Sequence, residues 1–85
     1  MDHLSDLDAA ILDFEETAPR SISRKEEAIR ARLDISPVRY HQRLNLLLDA
    51  PAAAESHPLL VARLRRLREE RENTRRAARE NTPLR

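Results

Sequence analysis

The chain has 85 residues, 36% of them charged, with a net charge of +1, and at this length one domain is the ceiling. It contains no cysteine and no glycine, which excludes a disulfide scaffold, a cysteine-based zinc site, a Walker loop and a dinucleotide-binding fingerprint. No apolar run approaches the ~18 residues of a membrane span and no secretory apolar segment stands out, so a cytoplasmic protein without membrane association is expected.

An alphabet of Ala, Leu, Glu and Arg, lacking glycine for hairpin turns, predicts an all-α fold. The first helix opens at Ser5, with Asp8 three residues on and Leu4 before it. Leu7, Ile11 and Phe14 make its apolar stripe, and Ala18-Pro19 ends it. The second helix is expected to open at Ser23 with Glu26 as the second half of a capping box. Ala28, Ile29 and Leu33 form its buried face. Asp34 stands where a left-handed residue would stop it, a place glycine fills more easily.

Ser36 then caps a third helix, with Pro37 at its first position, running to about Asp49. Tyr40, Leu44, Leu47 and Leu48 share one face, and the Tyr40 hydroxyl is expected at the surface. Pro51 begins a linker or a short helical turn. The last helix starts near His57-Pro58, and Leu60, Leu64 and Leu67 continue one stripe. Beyond Leu67 no apolar face remains. Ion pairs such as Glu72–Arg76, at ~0.2–0.5 kcal/mol each, are expected to keep this part helical, fraying toward Asn81-Thr82-Pro83.

Two helices joined through Leu33-Asp34-Ile35-Ser36 read as a helix-turn-helix at about residues 23–49. The expected architecture is therefore a trihelical helix-turn-helix-like core within a single helical domain, residues 1–67. A projecting basic helix and frayed tail follow over 68–85. The pattern departs from the common DNA-binding form in having Arg30 where a small residue is usual and Asp34 in place of glycine.

Charge is unevenly spread. Residues 1–34 carry five basic and nine acidic side chains, and residues 35–85 eleven basic and six acidic. A net −4 half followed by a net +5 half suggests an anionic partner for the second. Fifteen of the sixteen basic residues are arginine, which grips phosphate bidentately, although GC-rich codon usage produces the same bias. Val38, Arg39, Gln42, Arg43 and Asn45 lie outside the third helix's stripe and are the candidates for reading base edges. Ser36 at the helix N-terminus, with Arg63, Arg65, Arg66, Arg68, Arg71, Arg75, Arg76 and Arg79, are the candidates for phosphate contact. Arg68, Arg71, Arg75 and Arg79 share one helix face, alongside the acids Glu69, Glu70, Glu72 and Glu80.

Several blocks also carry a resemblance. They are Ala9-Ala10-Ile11-Leu12-Asp13-Phe14-Glu15, Lys25-Glu26-Glu27-Ala28-Ile29-Arg30, Arg39-Tyr40-His41-Gln42-Arg43-Leu44-Asn45 and the run from His57 to Arg68. Together, over about residues 4–72, they resemble a family of small actinobacterial proteins of unknown function. The resemblance implies an actinobacterial cytosolic protein with a helical fold and supplies no activity. Its members often have glycine where this chain has Asp34 and an aromatic where it has His41.

No nucleophile–base pair stands out, and Asp13, Glu15 and Glu16 read as solvated charge. An enzyme, a cofactor and a small-molecule substrate are not expected. His3, His41 and His57 are too far apart in sequence to suggest a metal site. The leading expectation is a small transcriptional regulator or accessory on double-stranded DNA, with the third helix in the major groove and the last helix's arginines on phosphate. The alternative is a protein-interaction module that binds itself or the transcription machinery through the last helix and the acidic first helix. Leu46, Leu59 and Val61 exposed together would favour the second; Leu60, Leu64 and Leu67 all packed inward would favour the first.

Overall fold

The computed structural model describes residues 3–80. They form α1 (Asp6–Glu16), α2 (Ile22–Leu33), α3 (Pro37–Leu47), α4 (Pro51–Ser56) and α5 (Pro58–Glu80), with no strand among the described residues. The expected fraying at Asn81-Thr82-Pro83 lies outside them.

The local signals account for most helix ends. Ser5 Oγ accepts the Asp8 N–H at 3.0 Å, and Ser36 Oγ accepts the Arg39 N–H at 3.1 Å. Each serine satisfies one of the N–H groups that a helix start leaves without a partner. Asp34 takes φ 56° and ψ 37°, the one positive φ among the described residues, and its N–H bonds the Arg30 carbonyl. A left-handed residue here turns the chain sharply into α3. The second helix departs from expectation. It is Ser21 that precedes the first helical residue, so Ser23 lies inside α2 and forms no capping box. The two hydroxyls bond each other at 3.2 Å instead.

The core is one cluster drawn from all the helices. Ile11, Leu12, Phe14, Ile29, Tyr40, Leu44, Leu47, Leu48, Ala53, Leu60 and Val61 are buried, and Leu7, Leu33, Ile35 and Leu64 pack against it. Leu12, Ala53 and Val61 are additions to the stripes drawn from sequence. The extra burial arises because α1 packs against both α2 and α3 and α5 against α4, so the helices bury more than one narrow stripe.

Tyr40 is fully buried, which corrects the expectation of a surface hydroxyl. Its O–H donates to the Glu15 carboxylate, which also pairs with Lys25 Nζ at 2.9 Å. Glu15 is accordingly not a solvated charge. The Phe14 ring meets Tyr40 edge-on at 5.6 Å, and Lys25 Nζ lies 5.5 Å from the Tyr40 ring centre. Burial, reinforced by the neighbouring Glu15 carboxylate, pushes the Tyr40 phenol far above its ordinary value.

α5 leaves the core part-way along its length. Leu60 and Val61 are buried, Leu64 is half-buried, and every described residue from Glu69 onward is exposed. The helix continues unbroken to Glu80. Glu72 and Arg76, expected to close an ion pair, do not do so among the described residues.

Candidate nucleic-acid interface

The N-terminal turns of α3 follow directly from the Asp34 corner. Pro37 is buried at the first helical position, and Tyr40 and Leu44 point into the core. The helix period then sends Val38, Arg39 and Gln42 outward, where all three are exposed. Among the described residues neither the Arg39 guanidinium nor the Gln42 amide has a hydrogen-bond partner, so their donors and acceptors are open to a ligand.

Two other candidates on α3 are already engaged. Arg43 binds both oxygens of Asp8, through Nε at 2.7 Å and Nη2 at 3.0 Å. This bidentate pair fixes α3 to α1. The Arg43 hydrogen bonds hold the Asp8 carboxyl below its usual range, against the opposing effect of burial, and Asp8 raises Arg43 in turn. Asn45 accepts a hydrogen bond from Arg68 Nη1 at 3.0 Å. Neither side chain is without a hydrogen-bond partner, as those of Arg39 and Gln42 are among the described residues.

The phosphate candidates divide in the same way. The Ser36 hydroxyl accepts a bond from its own helix. Arg65 donates through Nε to the Leu48 carbonyl at the end of α3. Arg68 grips Asp49, Nη2 to Oδ1 at 2.8 Å and Nη1 to Oδ2 at 3.2 Å. That contact lowers the Asp49 carboxyl and raises Arg68. Arg63, Arg66, Arg71, Arg75, Arg76 and Arg79 are exposed, with no side-chain hydrogen bond or ion pair among the described residues. Because α5 is straight-registered through Glu80, Arg68, Arg71, Arg75 and Arg79 do share one face, but its first member is neutralised by Asp49. What remains for phosphate is the outer part of α5.

The last helix starts at Pro58, as expected, but the grouping of His57 with α1 is not legible from spacing. His57 ends α4 through its N–H to the Ala53 carbonyl at 2.8 Å and begins α5, its carbonyl accepting from Val61 at 3.0 Å. Its Nε2 lies 2.8 Å from Asp13 Oδ1 and 3.6 Å from Glu16 Oε1. Only the pairing of two elements 44 residues apart creates this cluster.

The model of one protein family, described as a protein of unknown function (DUF3263), matches residues 3–76. The chain belongs to this family. The DUF3263 span takes in α1 to α4 and α5 as far as Arg76, so it includes both anchoring arginines, Arg43 and Arg68, and the exposed N-terminal turns of α3. No curated protein and no solved structure matches the chain significantly. No described helix is long and apolar enough to cross a membrane.

Proposed function

We propose that this DUF3263 protein binds double-stranded DNA in the cytoplasm of an actinobacterium, as a small transcriptional regulator or accessory. The observation that carries the proposal is the open surface of α3 just beyond the Asp34 corner, where Val38, Arg39 and Gln42 are exposed and the two polar side chains are unpaired. Arginine suits guanine and glutamine suits adenine in a major groove. The exposed arginines beyond Arg68 then supply sequence-independent contacts to phosphate. Arg43, Arg65 and Arg68 act in this scheme as positioning residues that fix α3 and α5 to the core.

The test is fluorescence anisotropy of the full chain against duplex fragments over a series of salt concentrations. Binding with a log–log slope of several counterions, and a preference among sequences, is the expected result. Salt-insensitive or absent binding would remove DNA as the partner.

One observation favours an interaction module instead. Leu59 is 86% and Leu46 66% exposed. Val61, however, is buried, and Leu67 is only partly covered, so neither arrangement of leucines that would separate the two readings is met in full. Sedimentation equilibrium reads this directly, since a self-associating module would give a dimer without DNA.

A further inference from the structure

We infer that Asp13, Glu16 and His57 form a binding site for one divalent transition-metal ion of the zinc type, which clips α1 to the corner between α4 and α5. The ligand atoms of the three residues all lie within 4.8 Å of one another. Asp13 and Glu16 are three residues apart on α1 and so project from one helix face. His57 reaches them from a different element, its Nε2 at 2.8 Å from one carboxylate and 3.6 Å from the other.

These spacings are on the scale of a single coordination sphere. Tetrahedral ligands at about 2.0–2.1 Å from zinc sit roughly 3.3–3.4 Å apart. The His57–Glu16 separation is already close to that, and the His57–Asp13 separation needs to open by only about half an ångström. Asp13 is exposed and can rotate to allow it. One imidazole nitrogen with two carboxylates suits zinc, cobalt, nickel or manganese. Magnesium and calcium prefer oxygen alone, and monovalent copper wants sulfur.

Two further features support a metal. The Nδ1 of His57 is hydrogen-bonded to Ser56 Oγ at 2.7 Å, which orients the ring so that Nε2 faces the carboxylates. Such an outer contact commonly fixes a ligating histidine. Charge gives the second. Asp8, Glu15 and Asp49 are each paired with a lysine or arginine, whereas among the described residues Asp13 and Glu16 have only His57 as a cationic partner. A protonated imidazole offsets one of their two negative charges, and a divalent ion offsets both. Three protein ligands leave a position for water or an exogenous ligand.

The experiment is isothermal titration of chelator-treated full-length protein with Zn²⁺, together with visible absorption on adding Co²⁺. One equivalent of Zn²⁺, a melting temperature that rises with Zn²⁺, and tetrahedral-type cobalt bands are expected. The His57→Ala variant and the Asp13→Asn/Glu16→Gln double variant should lose all three. The double variant changes only exposed carboxylates, so its circular dichroism should match the parent even if His57→Ala folds poorly. A His3→Ala/His41→Ala control should retain binding. No binding by the parent, or binding that survives the double variant, would overturn the site.

Discussion

Arg43 closes on Asp8 with two parallel hydrogen bonds across the α1–α3 interface, and it is the same Asp8 whose N–H is capped by Ser5. The buried carboxylate at the start of α1 thus has both oxygens bonded by Arg43, while Ser5 satisfies the backbone N–H of the same residue. The helix start favours its negative charge, and Arg43 supplies the counter-charge.

This pairing has a pH signature. The Arg43 hydrogen bonds hold Asp8 below the usual carboxylate range in the folded protein. Its contribution to stability is therefore fully present above about pH 3.9, the unfolded value, and is lost as pH falls through the lower folded value. Asp8→Asn should reduce stability at neutral pH by about 1 kcal/mol, since Arg43 stays partly solvated. Its acid-unfolding limb should also be shallower than the parent's. Urea unfolding followed from neutral into acid pH checks both, and two superimposable acid limbs would count against the assignment.

Tyr40 works at the other end of the scale. Burial first, then Glu15, raises its phenol. The folded state then holds a proton that the unfolded chain releases above about pH 10, so stability is intact below that pH and declines as pH rises past it. Tyr40→Phe should lower stability at neutral pH by ~1 kcal/mol, the net value of a hydrogen bond. It should also flatten the alkaline decline. Thermal melts of both proteins at neutral and strongly alkaline pH measure the difference.

Leu44→Ala should cost ~2–5 kcal/mol, because Leu44 lies in the central cluster beside Tyr40 and Leu48. In a domain this small that is a large share of the total. An unchanged chemical denaturation midpoint would mean that α3 is not held by this face.

Much of this architecture was legible because the signals are local. Ser5, Asp34, Ser36 and Pro37 act within one turn of their own position, and the stripes of Leu7, Ile11 and Phe14 or Tyr40 and Leu44 follow from helix period alone. Ser21 and Ser23 flank Ile22, and the local pattern points to the wrong one, since Glu26 completes a capping box only with Ser23 whereas the helix already begins at Ile22. The side-chain pairs were not legible. Asp8–Arg43, Asn45–Arg68 and Asp13–His57 join residues 35, 23 and 44 positions apart, and no spacing rule reaches so far. That is why arginines counted as open from sequence divide, in the fold, into anchors and exposed side chains.

For DNA, the division yields a graded expectation. Arg39→Ala and Gln42→Ala should each weaken binding to a preferred duplex by ~1–3 kcal/mol while leaving the melting temperature unchanged. Arg43→Ala should lower stability with a smaller effect on sequence preference, since its guanidinium is committed to Asp8. Anisotropy against preferred and scrambled duplexes separates these outcomes. Equal affinity of all three variants and the parent for every sequence would eliminate base reading.

Truncation after Arg68 should leave the melting temperature nearly unchanged. Arg68 grips Asp49 at the point where α5 leaves the core, and every described residue beyond it is exposed. The same truncation should lower DNA affinity for all sequences and reduce the salt slope, as phosphate contacts are lost. Loss of folding on truncation would show that the outer part of α5 is packed after all.

The outer part of α5 also governs how the molecule moves through a solution. The radius of gyration is 15.3 Å, against about 12 Å for a compact chain of this length, and the principal extents are 51 × 32 × 18 Å. An arm of twelve helical residues, Glu69 to Glu80, adds roughly 18 Å at 1.5 Å per residue. It adds frictional drag out of proportion to its mass. A 9.9 kDa monomer of this shape elutes early from a sizing column, at a volume that a globular calibration would assign to a heavier species. Mass-based methods such as light scattering are indifferent to the arm, so a disagreement between the two is the hydrodynamic mark of a single extended chain.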